Sequence, residues 1–264
     1  MLRDITLGQY YQTDSVIHRL DPRVKLVATI TFIISLFLVD TIWGYLIAMI
    51  FLAGCIKLSH VPFKFMVKGM RAILFLLLLT VAFNMFLTPG TPLIQIWKLT
   101  ITKEGLRLAV KMAVRLSFLI IGSSVMTLTT TPNNLTDGME SLMKPLEKIK
   151  VPVHEIAMMM SIALRFIPIL LEETDKIMKA QIARGADFES GNVINKAKAM
   201  VPLLVPLFIS AFRRANDLAM AMEARCYRGG EHRTKMKPLI YKKADYMSYL
   251  VLAGYVVVCI VIGR

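Results

Sequence analysis

Arg184 and Arg225 each follow an alanine at the end of a long helical stretch, in Ala183-Arg184-Gly185 and Ala224-Arg225-Cys226. A guanidinium presents a rigid fork of donors that matches a carboxylate, and a small neighbour lets a partner surface come close enough to use it. The chemistry on offer is recognition across an interface. The preceding runs, Glu172 to Ile182 and Arg213 to Glu223, are amphipathic and polar enough to meet water. Gly185 follows the first arginine directly, and Gly229-Gly230 stand a few residues past the second, where helices commonly stop. A single such arginine need only complement a helix macrodipole, worth roughly 0.3–1 kcal/mol. Its recurrence after a similar run favours a pair of contact points.

Residues that could catalyse or hold a metal form no recognisable site. The chain has no glycine loop ending in Lys-Ser or Lys-Thr to cradle phosphates, and no Gly-x-Ser-x-Gly elbow. His154-Glu155 lacks the second histidine of a zinc protease helix, and His18, His60 and His232 lie far apart. Cys55, Cys226 and Cys259 are scattered and odd in number, so neither a disulfide framework nor a zinc site is indicated. Glu172-Glu173-Thr174-Asp175 is the one acidic cluster, and on an amphipathic helix it reads as a solvated or partner-facing strip. The chain is therefore expected to be non-catalytic, with no metal or cofactor of its own. The alternative from another class is a membrane-embedded enzyme handling a lipid-linked substrate through Glu172 and Asp175.

The elements that must position the arginines are membrane-grade. At 264 residues and 56% hydrophobic content there is more apolar sequence than one soluble core would use. Uncharged windows run over 26–39, 41–56, 72–97 with a turn at Pro89-Gly90-Thr91-Pro92, 116–135 and 246–263. Some are short for a span of about 20 residues, and Arg23, Lys25, Lys57 and Arg71 could lengthen them by snorkelling. Asp40 with Trp43 reads as a tight interfacial turn. Arg3, Arg19, Arg23 and Lys25, with four more basic residues over 57–71, outnumber Lys98 and Lys103 on the other side, which puts the N-terminus in the cytoplasm. No cleavable signal peptide is expected. Nucleic acid is an unlikely partner, because no basic stripe is interleaved with stacking aromatics.

This predicts an all-α membrane protein of about five transmembrane helices plus a cytoplasmic region of long helices. Residues 1–131 form a four-helix transmembrane region, 132–244 the cytoplasmic segment, and 245–264 a last transmembrane helix leaving Arg264 outside. Within the fourth span, predicted from Glu104 to Thr130, Arg107, Lys111 and Arg115 share one face. The first two fit an outer interface, whereas Arg115 should face protein. Thr131 and Pro132 mark a helix start, and Pro145 and Pro152 bracket a basic connector. A helix follows from Val153 to Ala183, about 46 Å long, then another from Met200 to Arg225 with Pro202 and Pro206 as kink points. Each has an apolar start and a wet, arginine-tipped end. Met158-Met159-Met160 suits a contact that re-packs, although methionine also serves as core filler.

Leu20-Asp21-Pro22-Arg23-Val24-Lys25, Thr127-Leu128-Thr129-Thr130-Thr131-Pro132, Ala163-Leu164-Arg165-Phe166-Ile167-Pro168, Ala180-Gln181-Ile182-Ala183-Arg184-Gly185-Ala186-Asp187-Phe188 and Met222-Glu223-Ala224-Arg225-Cys226-Tyr227-Arg228-Gly229-Gly230, in that order, resemble the transmembrane coupling component of energy-coupling-factor transporters. The match covers about residues 8 to 240. The resemblance implies a multi-pass protein of a prokaryotic cell membrane that couples a pair of ABC-type ATPases, which carry ATP and Mg, to a separate small membrane protein that captures a vitamin or metal ion. It makes Ala183, Arg184, Gly185, Glu223, Ala224 and Arg225 the ATPase contacts, and suggests Met158, Met159, Met160, Leu204 and Phe208 as contacts with the capture protein. A coupling subunit of a dedicated cobalt or nickel module is a variant of this reading. The second signature departs from Ala-Arg-Gly at Cys226, which questions how that helix ends and leaves Gly229 as a candidate for the job.

Overall fold

A computed structural model describes residues 10–96, 99–186, 188, 192–230, 236 and 238–262. Arg3, Trp97, Lys98, Asp187, His232 and Arg264, which entered the sequence reading, lie outside the described residues. Eight α-helices run in order among those described: α1 Pro22–Leu38, α2 Ile42–Ser59, α3 Phe63–Leu87, α4 Lys103–Thr129, α5 Pro132–Met143, α6 Val153–Ala183, α7 Val193–Ala224 and α8 Lys243–Ile262. A 3-10 helix, Lys144–Ile149, precedes α6. The chain divides into two compact units, residues 8–139 with 238–264 and residues 140–237.

In the first unit the starts of α1, α2 and α4 are capped by side chains suited to them, whereas α3 begins after Pro62 with no side-chain cap. Asp21 accepts the Arg23 N–H with Pro22 at the first position of α1, Thr41 accepts the Gly44 N–H of α2 at 3.3 Å, and Thr102 accepts the Gly105 N–H of α4 at 3.1 Å. The apolar run 92–96 does not continue a span. Pro92–Ile96 (β1) pairs antiparallel with Leu99–Thr102 (β2), a short hairpin joining α3 to α4. Gly105 lets these two helices meet: a Cβ there would stand 2.9 Å from the Asn84 carbonyl oxygen.

The core gathers Phe32, Leu36 and Val39 of α1 and its end, Ala48 and Leu52 of α2, Ile121, Val125 and Leu128 of α4, and Leu252, Tyr255 and Cys259 of α8. Phe51 stacks on Tyr255 at 4.3 Å between centroids, and the Tyr255 hydroxyl is satisfied by Ser35 Oγ at 2.7 Å. Outside this core the helices expose Ile34, Phe37, Trp43, Ile50, Phe75, Leu78, Leu250 and Val261, an apolar exterior suited to lipid. By length and composition α2, α4, α6 and α8 could each cross a membrane. α1 has 17 residues, and the apolar part of α3 is Ile73–Leu87. The set thus includes α6, assigned from sequence to the cytoplasmic segment, because its first half is apolar nearly all round.

Arg115, the difficult cation of α4, is bound by protein. Its Nε donates to the Tyr45 hydroxyl at 3.0 Å and its Nη2 to the Val39 carbonyl at 3.3 Å, with the guanidinium over the Phe37 ring and 3.6 Å from Asp40 Oδ1. Lys111 donates to the same carboxylate and holds it below the usual carboxylate range. The α1–α2 turn is thereby tied to α4.

Candidate functional site

Both arginines occupy the same position in the same backbone motif. Arg184 is the cap residue of α6 (φ −88°, ψ 5°), and Arg225 is that of α7 (φ −92°, ψ 14°). After α6, the Gly185 N–H donates to the Ile182 carbonyl at 2.9 Å and the Ala186 N–H to the Gln181 carbonyl at 3.0 Å. After α7, the Cys226 N–H donates to the Glu223 carbonyl at 2.8 Å and the Tyr227 N–H to the Met222 carbonyl at 3.0 Å. These paired bonds close a Schellman motif, which turns on one residue in the left-handed region.

That residue is Gly185 (φ +89°) in the first motif and Cys226 (φ +57°) in the second. Cys226 therefore ends α7 as a glycine would, and Gly229 (φ +88°) belongs to a later turn. The departure at Cys226 leaves the cap geometry intact and carries the strain of an L-residue at positive φ, of order 1 kcal/mol.

Ala183, Arg184 and Gly185 are exposed, as are Glu223, Ala224, Arg225 and Cys226. Neither Arg184 nor Arg225 forms an ion pair among the described residues. Each motif thus offers a guanidinium to solvent from a fixed helix end, with only an alanine before it.

The helices that carry the motifs run antiparallel. His154 at the start of α6 packs where a Cβ on Gly230, just beyond α7, would stand 2.7 Å from its ring. Farther along, Arg214 Nη2 donates to Glu173 Oε2 at 3.3 Å. Between these points Ile162, Phe166 and Leu170 face Ala211, Ala215, Leu218 and Met222 across an apolar groove of about 270 Å³. The arginines consequently stand at opposite ends of the pair. With roughly 24 residues of α6 between their levels, the separation along the pair is on the order of 35 Å. The apolar start and wet tip read for each helix are thus set head to tail, with the tip of α7 level with the early turns of α6.

One further expectation changes. α7 begins at Val193 rather than Met200 and runs through Pro202 and Pro206, as α6 runs through Pro168. Antiparallel packing sets Met158 to Met160 and the pair Leu204 and Phe208 toward opposite ends of the helix pair, roughly 25–30 Å apart along it. Met158 is half-buried, and Met159 and Met160 are exposed. Leu204 and Phe208 belong instead to a stripe at four-residue spacing, Met200, Leu204, Phe208 and Phe212, all exposed. That stripe lies wholly within the helix read from sequence and was legible there as four-residue periodicity.

In the acidic cluster Asp175 is half-buried. Glu173 is taken up by Arg214, and Glu172 is exposed. Among the described residues no three His, Cys, Asp or Glu side chains lie close enough to hold a metal ion.

Comparison with known proteins places residues 13–236 in the family described as cobalt transport protein, CbiQ. Among curated relatives, the energy-coupling factor transporter transmembrane protein EcfT of Clostridium kluyveri is 56% identical over 263 residues, 98% of this chain and 96% of the relative. The protein of the same name from Ruminiclostridium cellulolyticum is 52% identical over 97% of this chain and 99% of its own length. That from Bacillus subtilis is 48% identical over 96% and 97%.

Proposed function

Because the chain belongs to the family of energy-coupling factor transporter transmembrane proteins, multi-pass components of the bacterial cell membrane, we propose that it is the subunit that couples two ABC-type ATPases to a separate substrate-capture membrane protein in vitamin or micronutrient uptake. The observation that carries this reading is the duplicated cap: two exposed arginines, in no ion pair among the described residues, in matching Schellman motifs at opposite ends of one antiparallel helix pair. Two separated, equivalent guanidinium forks suit two equivalent carboxylate-bearing partners, one at each end, better than a single partner. Ala183, Gly185, Glu223 and Ala224 complete the two contacts. ATP and Mg belong to the ATPases, and this chain supplies no catalytic group.

In this reading residues 132–244 lie on the cytoplasmic side, and relative movement of the ATPases displaces the two tips. α6 and α7, packed along their shared groove and cross-linked by Glu173 and Arg214, carry the displacement as near-rigid bodies. The exposed stripe of Met200, Leu204, Phe208 and Phe212 supplies an apolar surface for the capture protein. A module dedicated to cobalt is the second reading, favoured by the family description.

Affinity purification of this chain from its native membrane, followed by mass spectrometry of the intact complex, tests the proposal. Two nucleotide-binding subunits and one small membrane protein are expected. Recovery of the chain without any nucleotide-binding subunit would refute it, and an invariant metal-specific capture partner would select the second reading.

A further inference from the structure

Four side chains at the start of α1 and α8 form a buried ionic cluster. Asp245 (1% exposed), Asp21 (7%) and Lys25 (8%) are all buried, and Arg23 joins them. Asp245 Oδ1 accepts the Asp21 N–H at 2.8 Å, and its Oδ2 accepts the Lys242 N–H at 2.7 Å. Lys25 Nζ donates to the Thr129 carbonyl at 2.9 Å and to the His18 carbonyl at 3.2 Å. Arg23 Nη2 donates to the Leu239 carbonyl at 3.1 Å, with its guanidinium 4.9 Å from the Tyr241 ring centroid. Arg23 Nε stands 3.7 Å from Asp21 Oδ1.

The carbonyls that these cations hold have a special place in the chain. Thr129 is the last residue of α4, where the polypeptide leaves for α5 and the 140–237 unit. Leu239 lies where it returns to enter α8. Lys25 therefore grips the outgoing strand and Arg23 the incoming one, both from the first turn of α1, and Asp245 locks α1 to α8. A buried ionic cluster adds little net stability over apolar packing, because desolvation offsets its Coulombic gain. What it does supply is direction, since each bond fixes one backbone group. Without it an extended connector yields about 3.5 Å of slack per residue, enough to absorb a movement before it reaches a helix.

We propose that Arg23, Lys25, Asp21 and Asp245 are positioning residues that clamp both covalent connections to the 140–237 unit, so that displacement of that unit enters α1, α4 and α8 together. This rests on the coupling function proposed above. The complete transporter in nanodiscs is compared nucleotide-free and trapped with Mg-ATP and vanadate, by hydrogen exchange over 22–26 and 243–247, with ATPase copurification and ATP hydrolysis measured alongside. Arg23→Met should keep the ATPases bound and hydrolysis within about twofold, speed exchange over 238–242, and shrink the nucleotide-dependent difference at α1 and α8 about tenfold, the effect of losing one charged hydrogen bond. Tyr241→Leu, which keeps every hydrogen bond of the cluster, should give a smaller loss of the same sign and decides the question by the same criterion if Arg23→Met does not insert.

An undiminished nucleotide-dependent difference despite faster exchange over 238–242 overturns the clamp. So does a wild-type complex in which nucleotide changes nothing at α1 and α8. If no ATPase accompanies the wild-type chain, the coupling function itself fails, which is a separate result.

Discussion

The two caps differ at one residue, and exchanging the difference gives a prediction that depends on backbone conformation alone. Gly185 sits at φ +89°, and a Cβ placed on it would meet no atom within 4 Å. Gly185→Ala therefore introduces no clash; its left-handed strain of about 1 kcal/mol is partly offset because the unfolded end loses freedom worth roughly 0.5–1 kcal/mol, which leaves up to about a factor of two in the local opening equilibrium. Cys226→Gly is the inverse change at φ +57°. It relieves a similar strain but gives the unfolded end more freedom, which takes back roughly 0.5–1 kcal/mol, so the net gain is about twofold or less. Hydrogen exchange read by mass spectrometry reports both at the amides that close the motifs, Ala186 on Gln181 and Tyr227 on Met222. Exchange at Ala186 should rise by up to about twofold in Gly185→Ala, and exchange at Tyr227 should slow slightly in Cys226→Gly. Unchanged protection in the first variant, or faster exchange in the second, would refute the claim that both helix ends turn on one left-handed residue.

In the membrane unit, Gly122→Leu should cost about 1–3 kcal/mol by overpacking, because even a Cβ there would stand 2.7 Å from the Phe32 ring; Gly254→Leu, where a Cβ meets nothing within 4 Å, should leave the thermal midpoint in detergent nearly unchanged. Lys111 holds the Asp40 carboxyl below its ordinary value of 3.8, so this link is fully present above that pH and lost as pH falls through the lowered value. Asp40→Asn should remove the corresponding acid step from a stability profile. A membrane-impermeant thiol reagent applied to right-side-out vesicles should miss Cys226 and label a Thr91→Cys variant, and the reverse pattern would invert the topology.

Local signals in the sequence proved reliable where one residue decides a structure. Thr131 and Pro132 opened α5, the apolar windows located α1 to α4 and α8, and the spacing of Arg107, Lys111 and Arg115 singled out Arg115 as the cation needing protein partners. The misses share a different cause. The hairpin Pro92–Thr102 looked like the tail of a span because strand and span residues are equally apolar over so short a run. The start of α7 was set at Met200 because Lys196 and Lys198 interrupt the apolar pattern, although an amphipathic helix tolerates them. Composition could not show that α6 and α7 pack antiparallel, which is what separates Arg184 from Arg225 and Met159 from Phe208. Nor could it show that Asp21 meets Asp245, since a pairing between residues so distant in sequence leaves no periodic trace. Cys226 was ambiguous because identity alone does not report φ.

The central claim is that Arg184 and Arg225 are two equivalent grips for two ATPases, and quantitative copurification with Arg184→Ala, Arg225→Ala and the double variant tests it most directly. Each single change should weaken association by about 2–5 kcal/mol, largely by leaving a partner carboxylate unpaired, and the double variant should insert into the membrane with no ATPase bound. Full ATPase recovery with the double variant would contradict the account.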